Sequence, residues 1–276
     1  MMDPITAIIA LVITGIGVGF ASGLLGIGGC FIMVPVQYWI YTSMGLSPDI
    51  AIRVAFGTNL LVVLPTVISG AYGHSKKGAV FWRAGIVLGI TSAIGAVIGA
   101  TIAVQLPGAI LKVAFGLVIF LSAIRMLTAK PPKIDEKLKD NPILWAAWAF
   151  PIGIVSGIIG IGGGIIMIPM MLVVLKFRMH QAVGTSTAIM IFTSTGGVIG
   201  YIINGLGVED LPAYSIGYVN FSSWFVLAVT SVMMAQVGVR VSHKIPAREL
   251  KYIFIAVMMY FGLKMLGVFD WLGLPI

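Results

Sequence analysis

G-F-A-S-G-L-L-G-I-G-G-C-F-I-M-V-P, from Gly19 to Pro35, returns 134 residues later as G-I-V-S-G-I-I-G-I-G-G-G-I-I-M-I-P, from Gly153 to Pro169. Ten of the seventeen positions are identical and most of the others are aliphatic swaps, which points to a duplicated unit. A second pair of motifs supports the duplication. Gly57-Thr58-Asn59 is answered by Gly184-Thr185-Ser186 at an offset of 127, and Gly78 and Gly205 keep that offset. A glycine-rich break inside an apolar run, at matching places in two halves, is the sequence pattern of a transporter binding site.

The solvent for most of this chain is lipid. Of its 276 residues 59% are hydrophobic and 9% charged, and the mean hydropathy is +1.08. A soluble domain of this size could not hide so much apolar surface. The net charge of +8 sits in short basic clusters between apolar runs, which reads as a topology signal and not as a nucleic-acid surface. The single cysteine, Cys30, excludes an internal disulfide and a cysteine-based metal cluster. The first segment lacks a basic leader and holds half of the repeat motif, so a cleavable signal peptide is not expected.

Ten apolar segments can be drawn, at 4–27, 30–43, 50–73, 83–105 and 108–127, then 143–161, 164–176, 181–203, 216–239 and 251–270. The expected fold is an all-α polytopic membrane protein of two inverted-topology repeats, about five segments each, with eight to ten membrane segments. The N-terminal repeat covers 1–128, a cytoplasmic linker 129–142, and the C-terminal repeat 143–276, together one membrane domain. The second segment of each half is short for a bilayer, which needs about 20 residues, and each contains a proline, Pro35 or Pro169. Short tilted crossings and re-entrant hairpins both fit; the hairpin is preferred, because unwound backbone is tolerated at depth where it lines an enclosed cavity.

Basic residues set the threading. Lys76, Lys77, Arg83, Arg125, Lys130, Lys133, Lys137, Lys139, Lys176, Arg178, Arg240, Lys244, Arg248 and Lys251 all fall on one side, leaving Arg53, Lys112 and Lys264. With that side cytoplasmic, the third segment runs inward and its counterpart, the eighth, outward. The halves are inverted, the linker is inside and both termini are outside.

The glycine turns are the first candidates for a site. At Gly28-Gly29 and at Gly162-Gly163-Gly164 a short helix starts from bare glycine. Its first amides lack intrahelical partners and lie at the positive end of the helix dipole, so two such starts would bind an anion without a buried cation. Isolated pairs such as Gly85-x-x-x-Gly89 and Gly196-x-x-x-Gly200 read as helix packing, as do Ser22 and Ser156. Thr58, Asn59, Thr185 and Ser186 are the next candidates, since hydroxyls and amides can donate to anion oxygens. Thr193-Ser194-Thr195 reads as local backbone bonding. Arg53 either draws an anion to the outer mouth or snorkels, and Lys264 is a weaker second. His74, His180 and His243 read as interfacial.

All nine acidic residues lie at segment ends or in loops. A cation or proton pump usually places a carboxylate at depth, so an anionic cargo is favoured. H-E-x-x-H, G-x-S-x-G and paired carboxylates are missing, and so is a metal-ligand cluster. No enzyme activity, cofactor, metal or nucleic-acid partner is expected.

In its two G-x-x-G-x-G-G motifs, at Gly23–Gly29 and Gly157–Gly164, the chain resembles the TauE/SafE family of membrane permeases, also called sulfite exporters. The later Gly57-Thr58 and Gly184-Thr185 pairs, His74 and the two-half layout extend the resemblance over essentially the whole chain. It implies carriage of small, often sulfur-containing anions such as sulfite or organosulfonates across the cytoplasmic membrane of a prokaryote. Cys30 departs from the pattern, standing where such proteins commonly have a third glycine.

These readings converge on a secondary permease for a small anion, sulfur-containing or a small carboxylate. Access to a central site would alternate as one half rocks against the other. Export is favoured, since an inside-negative potential helps anions leave by about 2.3 kcal/mol per charge per 100 mV. A passive anion channel is the alternative, with a non-transporting membrane assembly subunit behind it. Proton coupling and a homodimer stay open.

Overall fold

The computed structural model describes residues 3–25, 30–128, 140–242 and 247–272. They are almost wholly helical, as expected of an all-α polytopic membrane protein. The first run holds α1 (Pro4–Leu25), α2 (Cys30–Ser43), α3 (Pro48–Lys76), α4 (Trp82–Ala103) and α5 (Gly108–Thr128). The second holds α6 (Pro142–Ile159), α7 (Gly164–Val173), α8 (Met179–Gly205), α9 (Phe221–Ser242), α10 (Ala247–Met265) and the short α11 (Val268–Trp271). Five of these, α3, α4, α5, α6 and α8, are long and apolar enough to cross a membrane.

Local chemistry sets several helix starts. Asn141 Oδ1 accepts from the amides of Ile143 and Leu144 at 3.0 and 3.3 Å, capping α6 with Pro142 behind it. Asp49 Oδ1 accepts from the Gly108 amide at 2.6 Å, so an acid on α3 caps α5. Arg83 pairs with Asp140 at 3.2 Å in an exposed bridge that ties the start of α4 to the end of the linker.

Lipid gives helices no hydrophobic reason to associate, so close packing of small residues must hold them together. α4 shows the division clearly. Ile86, Ile90, Ile94, Ile98 and Ile102 are exposed every fourth residue, while Ala84, Leu88, Ser92, Ala96 and Ala100 are buried. The buried side meets α6, where Gly153 lies against the Ser92 carbonyl and Gly157 against that of Ala96. The same arrangement joins α1 to α9, where Gly15 lies against Leu227 and Gly19 against the Ser231 carbonyl.

These pairings fix relative directions. Residue numbers rise together along α4 and α6, and along α1 and α9, so each pair is parallel. Gly89 against Phe192 and Ala93 against Gly196 make α4 and α8 parallel as well. α3 and α8 are antiparallel, because Leu60 meets Gly197 while Gly70 meets Thr187. Between those contacts Val63, Val67 and Met190 form a small buried cluster. α5 and α10 are also antiparallel, through Gly116 with Leu266 and Phe120 with Gly262.

Most segment ends shift by up to three residues, and two segments depart further from the sequence reading. The ninth segment was expected from residue 216, but α9 starts at Phe221, after a hairpin of β1 (Ser215–Ile216) and β2 (Val219–Asn220). Gly217 supplies its turn at φ 55°, and the Asn220 side-chain oxygen accepts from the Ser223 amide at 2.9 Å to start α9. The tenth segment breaks at Gly267, which has φ 76°, into α10 and α11. Of the expected linker 129–142, residues 129–139 lie outside the described residues, as does His243.

Candidate functional site

The second glycine turn closes α6 and opens α7 inside the protein. Gly160 ends α6 at φ 64° and ψ 27°, Gly162 has φ 77°, and Gly163 caps α7 at φ 92°. Left-handed backbone costs a residue with a Cβ roughly 1–2 kcal/mol, so Gly163 is where the path of the chain itself demands glycine. Its carbonyl accepts from the Ile166 and Met167 amides at 3.1 and 2.8 Å. The amides of Gly164 and Ile165 find no acceptor among the described residues, as the first turn of a helix dictates.

Three helices wall this turn. From α3, Asn59 Nδ2 donates to the Gly160 carbonyl at 2.7 Å, while Asn59 Oδ1 is buried and unpartnered. From α8, the Ser194 hydroxyl lies over Gly162, 2.8 Å from where a Cβ would sit. From α6, the Ser156 hydroxyl lies 3.5 Å from the corresponding point on Gly163. Both serines are fully buried, at 0% exposure, and neither hydroxyl has a hydrogen-bond partner. Thr193, beside Ser194, donates to the Ile189 carbonyl at 3.2 Å and shares a 2.6 Å hydrogen bond with Ser92 of α4. Met190 packs against Gly164. The turn lies beside residues 190–194, near the middle of the 27-residue α8.

The donors present are hydroxyls and backbone amides at a helix start, with no carboxylate among the atoms just named. Such a set suits an oxyanion. Among the described residues no three His, Cys, Asp or Glu side chains gather to hold a metal ion.

The model of the sulfite exporter TauE/SafE family matches residues 11–265. The chain belongs to this family. It is 32% identical over 259 residues to a probable membrane transporter protein of Methanocaldococcus jannaschii, covering 93% of this chain and 94% of that one. It is 27% identical over 282 residues to the probable membrane transporter protein YunE of Bacillus subtilis, covering 95% and 99%. A probable membrane transporter protein of Haemophilus influenzae is 27% identical over 247 residues, covering 89% and 93%. No solved structure matches the chain.

The residues singled out from the sequence of this TauE/SafE protein separate into groups. Gly162, Gly163, Gly164 and Asn59 meet at the turn. Ser186 is on the same stripe of α8 as Met190 and Ser194, at four-residue spacing, and its hydroxyl is buried and unpartnered. Thr58 lies elsewhere, accepting from the Asn220 amide at 2.9 Å at the start of α9. Thr185 is engaged in the same way, accepting from the Phe81 amide at 2.9 Å at the start of α4. Arg53 donates to the Leu106 carbonyl at 3.1 Å and reaches the Tyr218 hydroxyl at 3.5 Å, with its guanidinium over the Tyr218 ring. Gly28 and Gly29 lie outside the described residues.

Ser156 and Ser194 are the residues that the motif reading missed. Serines in membrane helices usually bond the carbonyl of the preceding turn, and Thr193 and Thr195 on either side of Ser194 do so. Only the fold reveals that Ser194 does not. Asn59→Leu should leave the Gly160 carbonyl unpaired and lower stability by about 1–3 kcal/mol; thermal unfolding in detergent checks this.

Proposed function

We propose that this chain is a secondary permease for a small anion, sulfite, an organosulfonate or a small carboxylate, held at the Gly162–Gly164 turn. One observation supports the reading above the others: two fully buried, unpartnered hydroxyls, Ser194 and Ser156, lie over Gly162 and Gly163, next to the start of α7, whose first amides find no acceptor among the described residues. A buried polar group left unpaired costs about 1–3 kcal/mol, and an oxyanion would satisfy the hydroxyls and the amides together. The relatives, named as probable membrane transporters, agree with carriage across a membrane.

The architecture supports alternating exposure of that site. α3 and α8 start with matching Gly-Thr motifs yet cross antiparallel, which suits two repeats of inverted topology. α7 has ten residues, about 15 Å of helix at 1.5 Å per residue, half of a hydrocarbon core about 30 Å thick. We therefore read α6–α7 as a re-entrant hairpin whose tip is the site. The linker is cytoplasmic, both termini are outside, and export needs no coupling ion.

The test is thermal stability of the purified protein in detergent against sulfite, sulfate, thiosulfate, taurine, sulfoacetate, acetate and lactate. A ligand at about 100 times its Kd adds roughly 2.7 kcal/mol to stability. A selective rise that is absent in Gly163→Ala is expected. A folded protein that responds to none of the panel would overturn the anion site.

A further inference from the structure

A second group of buried polar atoms lies on another face of α3. Gln37 of α2 is fully buried, and neither its side-chain nitrogen nor its oxygen has a partner. One helical turn on, Tyr41 is 2% exposed and its hydroxyl is also unpartnered. That hydroxyl is faced by those of Thr58 on α3 and Ser223 on α9, with no hydrogen bond formed to either. Thr58 and Ser223 are themselves buried, at 0% and 4%. Gln37 and Tyr41 share a helix face at the i, i+4 spacing.

The corresponding positions of the second half carry no such group. At the offset of 134 set by the glycine motif, Gln37 corresponds to Met171 and Tyr41 to Leu175. Both are fully buried in an apolar cluster with Trp145 and Phe177. The polar group is thus particular to the first half and is not a by-product of the repeated motif.

The unused atoms define what would fit. The Gln37 carboxamide offers two N–H donors and one acceptor oxygen, and the hydroxyls offer both roles. A bare anion would satisfy the nitrogen and leave the oxygen facing negative charge; a cation would do the reverse. An uncharged group with both a donor and an acceptor satisfies the whole set. Thr58 and Asn59 are consecutive on α3, and Asn59 holds the glycine turn, so the two groups of polar atoms meet α3 at one level.

We propose that Gln37 and Tyr41, with Thr58 and Ser223, form a second subsite for the uncharged hydroxyl or amide end of an organic anion. The inference rests on the anion reading of the glycine turn, which would hold the charged end. The substrate class it names is a hydroxylated or amidated sulfonate or carboxylate, not a bare inorganic anion.

The experiment measures affinities of the purified full chain for matched acids: propanesulfonate against 3-hydroxypropanesulfonate, and butyrate against 4-hydroxybutyrate. The hydroxylated member of each pair should bind about tenfold more tightly, the worth of one well-made hydrogen bond. Gln37→Met, which installs the residue of the second half, should remove that advantage and leave the bare acids unchanged. Tyr41→Phe deletes one oxygen, should do the same, and serves if the first variant does not fold. Equal affinities within each pair, or an advantage that survives both substitutions, would overturn the subsite while the anion site stands; those orphan atoms would then serve water. No binding of any acid, bare or hydroxylated, would overturn both.

Discussion

Replacing Ser156 and Ser194 together by alanine leaves the purified protein at least as heat-stable as the parent and abolishes most of its affinity for the anion. The two effects have opposite signs because the hydroxyls have no partner within the protein. Each orphan costs the folded state about 1–3 kcal/mol, and alanine removes the polar atom along with its cost, at the price of one small void. In the occupied site each hydroxyl would donate to a charged oxygen, an interaction of about 1.5–3 kcal/mol. Losing two amounts to roughly a hundredfold or more in Kd. Thermal unfolding of the empty protein reads the first effect, and a titration with the best anion of the panel reads the second. Unchanged affinity in a folded double variant would remove both serines from the site. A marked loss of stability would show that the hydroxyls hold the helices together in some other way.

The second large effect is structural. Gly153→Ala should lower stability by about 3 kcal/mol or more, and Gly19→Ala should match it. A Cβ on Gly153 would press into the Ser92 carbonyl, and one on Gly19 into that of Ser231. Both obstacles are backbone, so neither can turn aside as a side chain would, and the helices must part. Overpacking usually costs about 1–3 kcal/mol, and a rigid obstacle puts these sites at the upper end. Gly17→Ala is the control, since nothing lies within 4 Å of its added methyl. There the alanine should be neutral or stabilise by about 0.5–1 kcal/mol, the difference between the two residues in a helix. Side-by-side melting curves decide, and equal tolerance at Gly17 and Gly153 would refute the close crossing.

Much of this fold can be read without coordinates. Each apolar run became a helix because in lipid the backbone must bond to itself, and α2 and α5 begin at the residues expected. The misplaced start of α9 has a plain cause. Ser215, Ile216, Val219 and Asn220 adjoin an apolar run, and a hairpin of two-residue strands has too short a period to register beside a helix of 22 residues. The site was only partly legible. Gly162 and Gly163 stand out because the backbone needs them there. Ser156 and Ser194 look like any small polar residue in a membrane helix, and what distinguishes them is a missing partner, which no spacing records. Gln37 escaped for a related reason: a lone glutamine in an apolar stretch carries no motif.

The reciprocal crossings also bear on what could move. α4 is wedged by backbone against α6, and α1 against α9, so each half lends its fourth helix to the first helix of the other. Thr58 and Thr185 repeat the exchange, each latching the entry to a helix from the opposite half. A cut between residues 128 and 142 would therefore not yield two lobes, but two incomplete sets of parts. Units that slide or tilt as solid pieces would each be chimeras of early and late sequence, and the seam between them would not run between residues 128 and 142.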